Sequence, residues 1–185
     1  MIVTVSGLIA SGKTTQARAL AARLGLRYLS AGEVMRRWAQ ERGMNLLRFS
    51  EMAEQDHAID RELDRLQVEM AREGNAVVDS RLGGWFVPAT MKVWLRAPLE
   101  VRAYRVAQRE GVQFQVALEE LQRREASERQ RYRAIYGIDL DDLSPYHVVV
   151  DTHRWQRDEV TQALAELARA LMERRGGGGA PGGGG

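Results

Sequence analysis

Short apolar runs separated by helical stretches organise this chain of 185 residues. Five runs read as strands: Ile2–Ser6, Arg27–Leu29, Ala76–Asp79, Met91–Leu95 and His147–Asp151. They are rich in β-branched and aromatic residues and show little polar alternation, the pattern of strands covered on both faces. Arg27-Tyr28-Leu29 is the shortest of them. Between the runs, helical spacing predicts helices over about Lys13–Leu24, Gly32–Glu41, Asp56–Glu73, Leu99–Arg109, Phe114–Ile135 and Arg157–Glu173. The third begins at Ser50 or Asp56 and stops at Gly74. Leu164, Leu167, Ala168 and Leu171 form an apolar stripe on the last helix. This alternation predicts an α/β fold, a five-stranded parallel sheet with helices on both faces. The tail over 176–185, GGGGAPGGGG, cannot build a core and reads as a flexible extension of a single domain over 1–175.

The first strand runs into Gly7-Leu8-Ile9-Ala10-Ser11-Gly12-Lys13-Thr14-Thr15, which contains G-x-x-x-x-G-K-T. A strand before and a helix after are the context that gives this motif its meaning, a phosphate-binding P-loop. Glycines let backbone N–H groups converge on phosphate oxygens, and the helix N-terminus adds its positive end. Lys13 is expected on the β- and γ-phosphates, and the Thr14 hydroxyl on Mg²⁺. The chain has only two lysines, Lys13 and Lys92, so a lysine kept where a compact point charge is needed is informative.

Composition narrows the classes. Net charge is +2, too weak a bias to argue for nucleic acid, although clustered arginines permit it. Without cysteine there are no disulfides or thiolate metal sites, which suits a cytoplasmic location. No apolar run approaches the roughly 18 residues of a membrane span, and no leader is read before the strand that starts at residue 2. A GTP-driven switch is disfavoured, because N-K-x-D and D-x-x-G elements are missing. His57, His147 and His153 lack metal-ligand spacing and read as structural or surface groups.

Four further clusters carry chemistry. Ser30-Ala31-Gly32-Glu33-Val34-Met35-Arg36 enters a helix and suits a second anion, or is simply a capped amphipathic helix. Val77-Val78-Asp79-Ser80-Arg81 places an acid at the carboxyl edge of the sheet, where ligands of open α/β sheets bind. There Asp79 can hold Mg²⁺ through water or cap a turn. Arg102, Arg105 and Arg109 share one helical face, and so do Arg124, Glu128 and Arg131. Both stripes read either as solvated ion-paired faces or as cations for phosphate.

Taken in order, G-x-x-x-S-G-K-T, S-A-G-E-V-x-R, V-V-D-S-R-L-x-x-W, R-E-x-S-E-x-x-R-Y, Y-G-I-D-L-x-D-L-S-x-Y and V-x-D-T resemble the short, archaeal-type cytidylate kinases, to about Arg174. The resemblance implies a P-loop NTPase fold of the nucleoside monophosphate kinase type. It implies acceptor-binding helices over about 30–74 and a helical lid over about 102–136. The implied reaction moves the γ-phosphoryl of ATP to CMP or dCMP with Mg²⁺. Gly7, Leu8, Ile9, Ala10, Ser11, Gly12, Lys13, Thr14 and Thr15 would hold the ATP phosphates. Arg105 and Arg109 would form a lid entry on adenine and phosphate, with Thr152 and His153 near the adenine. Ser30, Gly32, Arg36, Ser80, Arg81, Arg124, Glu128 and Arg131 would line the acceptor site, with Lys13, Arg124 and Arg131 stabilising the transferred phosphoryl. Arg36 would grip the acceptor phosphate, and Glu128 could accept from the cytosine amino group. The extra domain of bacterial cytidylate kinases is missing, so its contacts do not transfer. The expected protein is a monomer that binds neither nucleic acid nor membrane. The rival is another small-molecule P-loop kinase, for AMP, UMP, shikimate or dephospho-CoA.

Overall fold

The computed structural model describes residues 1–176. Of the glycine-rich tail, Gly176 ends the last helix and 177–185 lie outside the described residues. The strands are β1 (Ile2–Gly7), β2 (Arg27–Ser30), β3 (Ala76–Asp79), β4 (Met91–Arg96) and β5 (Val148–Asp151). The helices are α1 (Lys13–Leu24), α2 (Ala31–Glu41), α3 (Leu46–Gln55), α4 (His57–Arg72), α5 (Gly83–Phe86), α6 (Leu99–Glu110), α7 (Phe114–Tyr136) and α8 (Arg157–Gly176). All pairings are parallel, in the order β2-β3-β1-β4-β5. β1 is therefore central. The chain crosses from one side of it to the other between β3 and β4, which opens the crevice where ligands of such sheets bind.

Alternate residues of β1 serve the two faces. Val3 and Val5 pack with Leu20 of α1 and with Leu164 and Ala168 of α8 in the largest core cluster. On the other face Ile2 joins Val78 of β3, with Val68 and Ala71 of α4. No helix among the described residues is long and apolar enough to cross a membrane.

Two helices depart from the expected pattern. The stretch before α4 forms a separate helix, α3, because two caps bracket it. The Asn45 side chain accepts from the Arg48 N–H at 2.9 Å. Asp56 then leaves helical geometry (φ −123°, ψ 89°), and its carboxylate accepts from the Ala58 N–H at 3.0 Å to start α4. So Asp56 begins the long helix, and Ser50 lies inside the preceding one. The short α5 was unforeseen. Its Gly-Gly start has too little pattern to show helical periodicity.

Candidate active site

The P-loop leaves β1 at Gly7, whose backbone has φ 147°. A Cβ there would lie 2.2 Å from the Leu95 carbonyl oxygen of β4, so only glycine fits. Gly12, at φ 99°, turns the chain into α1. Ala10 sits in the left-handed region at φ 58°, a costly conformation for a residue with a side chain.

The loop's carbonyls are held from outside, one after another. Gly7 O accepts from Arg81, Leu8 O from Lys13 Nζ (2.9 Å) and Ile9 O from Arg102 Nη1 (3.1 Å). Ala10 O accepts from Arg105 Nη1 (3.1 Å) and Ser11 O from Thr152 Oγ1 (2.8 Å). Five consecutive carbonyls thus point at four cationic side chains and one hydroxyl. The N–H groups of Ile9, Ala10 and Gly12 have no acceptor among the described residues. That is a concave array of donors suited to an anion. Burial, with the Arg81 charge next in weight, pushes the Lys13 ammonium down to about 7.

Thr14 and Asp79 meet as the sequence suggests. Thr14 Oγ1 donates to Asp79 Oδ2 at 2.6 Å, and the Tyr28 hydroxyl donates to the same oxygen at 3.0 Å. Tyr28 was missed, since one aromatic in a short strand carries no signal of its partner. A hydroxyl and a carboxylate oxygen beside the loop form a hard-oxygen donor set that fits Mg²⁺. Among the described residues no group of three or more acids or histidines gathers to hold a metal by itself.

Among the residues expected around the acceptor, Arg81 pairs with Glu128 through Nε–Oε2 at 2.8 Å and Nη2–Oε1 at 3.0 Å. Both side chains are 15% exposed. Burial would raise the Glu128 carboxyl, but Arg81 beside it, then Arg124 and Arg131, hold it below the usual range. Arg124 lies 3.8 Å from Glu120 and stays half-buried. Arg36 is exposed, without a partner among the described residues, and its guanidinium folds toward the open Gly32 position.

Three expected acceptor groups are used otherwise in this structure. The Ser30 hydroxyl caps α2 by accepting from the Glu33 N–H at 3.2 Å. Ser80 is buried, with its Cβ packed against Gly83. Arg131 is buried and turned away, donating from Nε to Asp60 Oδ2 (2.9 Å) and from Nη1 to Ser127 Oγ (2.8 Å). The expected shared face of Arg124, Glu128 and Arg131 therefore divides among Glu120, Arg81 and Asp60. Helical spacing could not show this, because Asp60 belongs to α4.

The α6 stripe divides in the same way. Arg105 reaches the loop and also binds Thr152 through Oγ1 and O, both at 3.1 Å. Arg109 does not reach it. Its side chain is 60% exposed and pairs with Glu110 at 2.6 Å. Arg102, given no separate role by the sequence, is buried against Glu125. His153 sits beside Asp151 at the rim, next to Thr152.

Residues 2–154 match the cytidylate kinase-like family. The chain belongs to that family. It is 45% identical over 185 residues to the cytidylate kinase of Methanopyrus kandleri, covering 94% of this chain and 96% of the relative. It is 46% identical over 165 residues to that of Methanocaldococcus jannaschii, covering 86% and 93%. In fold, this member of the cytidylate kinase-like family resembles the shikimate kinase of Acinetobacter baumannii. The TM-score is 0.60 at 17% identity, over 91% of this chain and 93% of that one. An uncharacterized protein from Eubacterium ventriosum aligns at TM-score 0.65 and 16% identity, over 90% and 97%. The P-loop kinase architecture thus persists where sequence has diverged.

Proposed function

We propose that the chain is an ATP-dependent cytidylate kinase that moves the γ-phosphoryl of ATP to CMP or dCMP. The observation that carries this reading is the Arg81–Glu128 pair standing beside the P-loop, in a chain nearly half identical to cytidylate kinases. The loop N–H groups and Lys13 would hold the ATP phosphates. Arg36 and Arg124 are the accessible cations for the acceptor phosphate. Arg105, Thr152 and His153 border the ATP side, and α6 with α7 would form the lid.

An oxygen of the acceptor phosphate bonds to the γ-phosphorus while the bond to the β,γ-bridging oxygen breaks, and ADP leaves with the electron pair. The acceptor is already anionic near neutral pH, so no general base is required. Catalysis is positioning and charge neutralisation. Thr14 and Asp79 would hold Mg²⁺, which neutralises charge on the phosphates when bound. Glu128 can accept from the cytosine N4 amino group, as acidic side chains do in base recognition.

The test is ADP release from ATP across CMP, dCMP, UMP, AMP and shikimate. CMP or dCMP should give the highest kcat/KM. Faster turnover of AMP or shikimate would overturn the assignment.

A further inference from the structure

We propose that Arg102, locked against Glu125, is a positioning residue that sets the P-loop for polyphosphate. The inference rests on the kinase reading above. A trans peptide is planar, so its C=O and N–H point in opposite directions. Pinning the carbonyl of one residue therefore aims the N–H of the next. Ile9 O, bound to Arg102 Nη1 at 3.1 Å, fixes the peptide that carries the Ala10 N–H. That peptide leads into the residue at φ 58°, where backbone conformation is least favoured and most in need of an external hold. The Ala10 N–H has no acceptor among the described residues, so it is available to an anion.

Arg102 differs from the other cations around the loop. Lys13 and Arg81 touch loop carbonyls with groups that substrate would claim. Arg102 is 4% exposed and already saturated by protein acceptors. Its Nε donates to Ala97 O at 3.0 Å, its Nη1 to Ile9 O, and both terminal nitrogens to the Glu125 carboxylate. Only a planar guanidinium can serve three acceptors in those directions at once. Because Glu125 belongs to α7, the same side chain joins the loop to both helices of the expected lid. Arg105 repeats the arrangement one residue on, holding Ala10 O and Thr152 together.

The experiment measures binding of ADP, inorganic pyrophosphate and CMP by calorimetry. It uses wild type, Arg102→Lys, and the double variant Arg102→Met with Glu125→Leu. The double variant leaves no buried unpaired carboxylate, so it keeps the test open if the lysine variant fails to fold. Dissociation constants for pyrophosphate and ADP should rise tenfold or more in both variants, with CMP within twofold of wild type. On the kinase reading pyrophosphate takes the loop and CMP the acceptor site, so a general loosening would not produce that split. Pyrophosphate affinity within twofold of wild type in a cooperatively melting variant would overturn the proposal. Equal losses for pyrophosphate and CMP would overturn it too, by showing general loosening. Wild type that binds neither ADP nor pyrophosphate would instead overturn the kinase reading, and the pin with it.

Discussion

Replacing Arg131 by methionine decides whether this arginine is spent on the fold or on substrate. Its ion pair with Asp60 is 2.9 Å long, and the two side chains are only 6% and 4% exposed. Burial already holds the Asp60 carboxyl above its ordinary value despite the Arg131 charge, so the carboxylate depends on its partner. Arg131→Met fills similar space but leaves that carboxylate unpaired. Removing one member of a buried pair costs about 3–5 kcal/mol, against about 0–1 kcal/mol for an exposed pair. The Ser127 hydroxyl also loses a charged donor, which belongs to the same loss. Urea unfolding at pH 8 should therefore show a lower midpoint with unchanged m, equivalent to about 3 kcal/mol or more. The cost should shrink at acid pH, where Asp60 takes a proton and no longer needs a cation. The double variant Arg131→Met, Asp60→Leu should recover most of the loss, because apolar groups of similar volume replace buried pairs at little cost. A loss under about 1 kcal/mol at pH 8, with a tenfold rise in KM for CMP, would refute this reasoning. It would mean that Arg131 leaves Asp60 and works on the acceptor.

Three further outcomes follow from the same geometry. At pH 8 the Lys13 ammonium, held at about 7, is mostly neutral in the free protein, and phosphates favour its charged form. ADP binding should therefore take up close to one proton at pH 8, where the ADP phosphates are already fully ionised. Calorimetric heats compared between buffers of different ionisation enthalpy read this directly, and equal heats at pH 8 would contradict it. Glu128→Gln should narrow the preference for CMP over UMP, because an amide can donate to uracil O4. The matched contact is worth about 1–3 kcal/mol, or roughly 5- to 150-fold in kcat/KM, and an unchanged ratio would leave Glu128 as a partner of Arg81 alone. Asp64 accepts from the Tyr136 hydroxyl at 2.7 Å, and burial pushes its carboxyl up to about 7 from 3.8. The folded state then binds the extra proton between those values, so this contribution is full below pH 4 and is lost as pH rises through 7. Asp64→Asn should flatten that slope and raise stability at pH 8, by at most about 4 kcal/mol at about 1.4 kcal/mol per unit. A less stable asparagine variant at pH 8 would count against it.

Much of the scaffold was legible because it is written in local pattern. Each expected strand agrees with the structure to within a residue or so at its ends, and Gly7 to Thr14 announce the loop between β1 and α1. The division of α3 from α4 was not legible. Asp56 ends one helix and caps the next, and a single aspartate between two amphipathic stretches reads equally well as a helix start. The site was legible in residue type and less so in partner. Thr14 with Asp79, and Arg105 with Thr152, were placed on the same side of the reaction and do meet. Arg109 shares the helical face of Arg105, yet stays in solvent one turn further along. The clue to Arg102 was its company. It lies among Ala103, Val106 and Ala107 on the buried side of α6, where an arginine survives only with a carboxylate. Finding that carboxylate on α7 needed the packing.

That packing also explains the bias toward arginine. In several places one guanidinium serves a carboxylate and backbone carbonyls together. Arg27 holds Glu73 (2.6 Å), Met70 O (3.2 Å) and Gly74 O (3.0 Å), which fixes β2 to the end of α4. Arg81 spans Gly7 O and Glu128, and Arg102 spans Ile9 O, Ala97 O and Glu125. A lysine offers three donors from one point and cannot bridge partners on different sides of a plane. Lys13, one of the two lysines, has the opposite requirement. Lys13 donates to Leu8 O at 2.9 Å, and under the proposed function it would leave that carbonyl for a phosphate. A fork at that position would stay with the carbonyls. Lys13→Arg should therefore fold as well as wild type and transfer phosphate poorly, and wild-type turnover in that variant would show that the loop needs only positive charge.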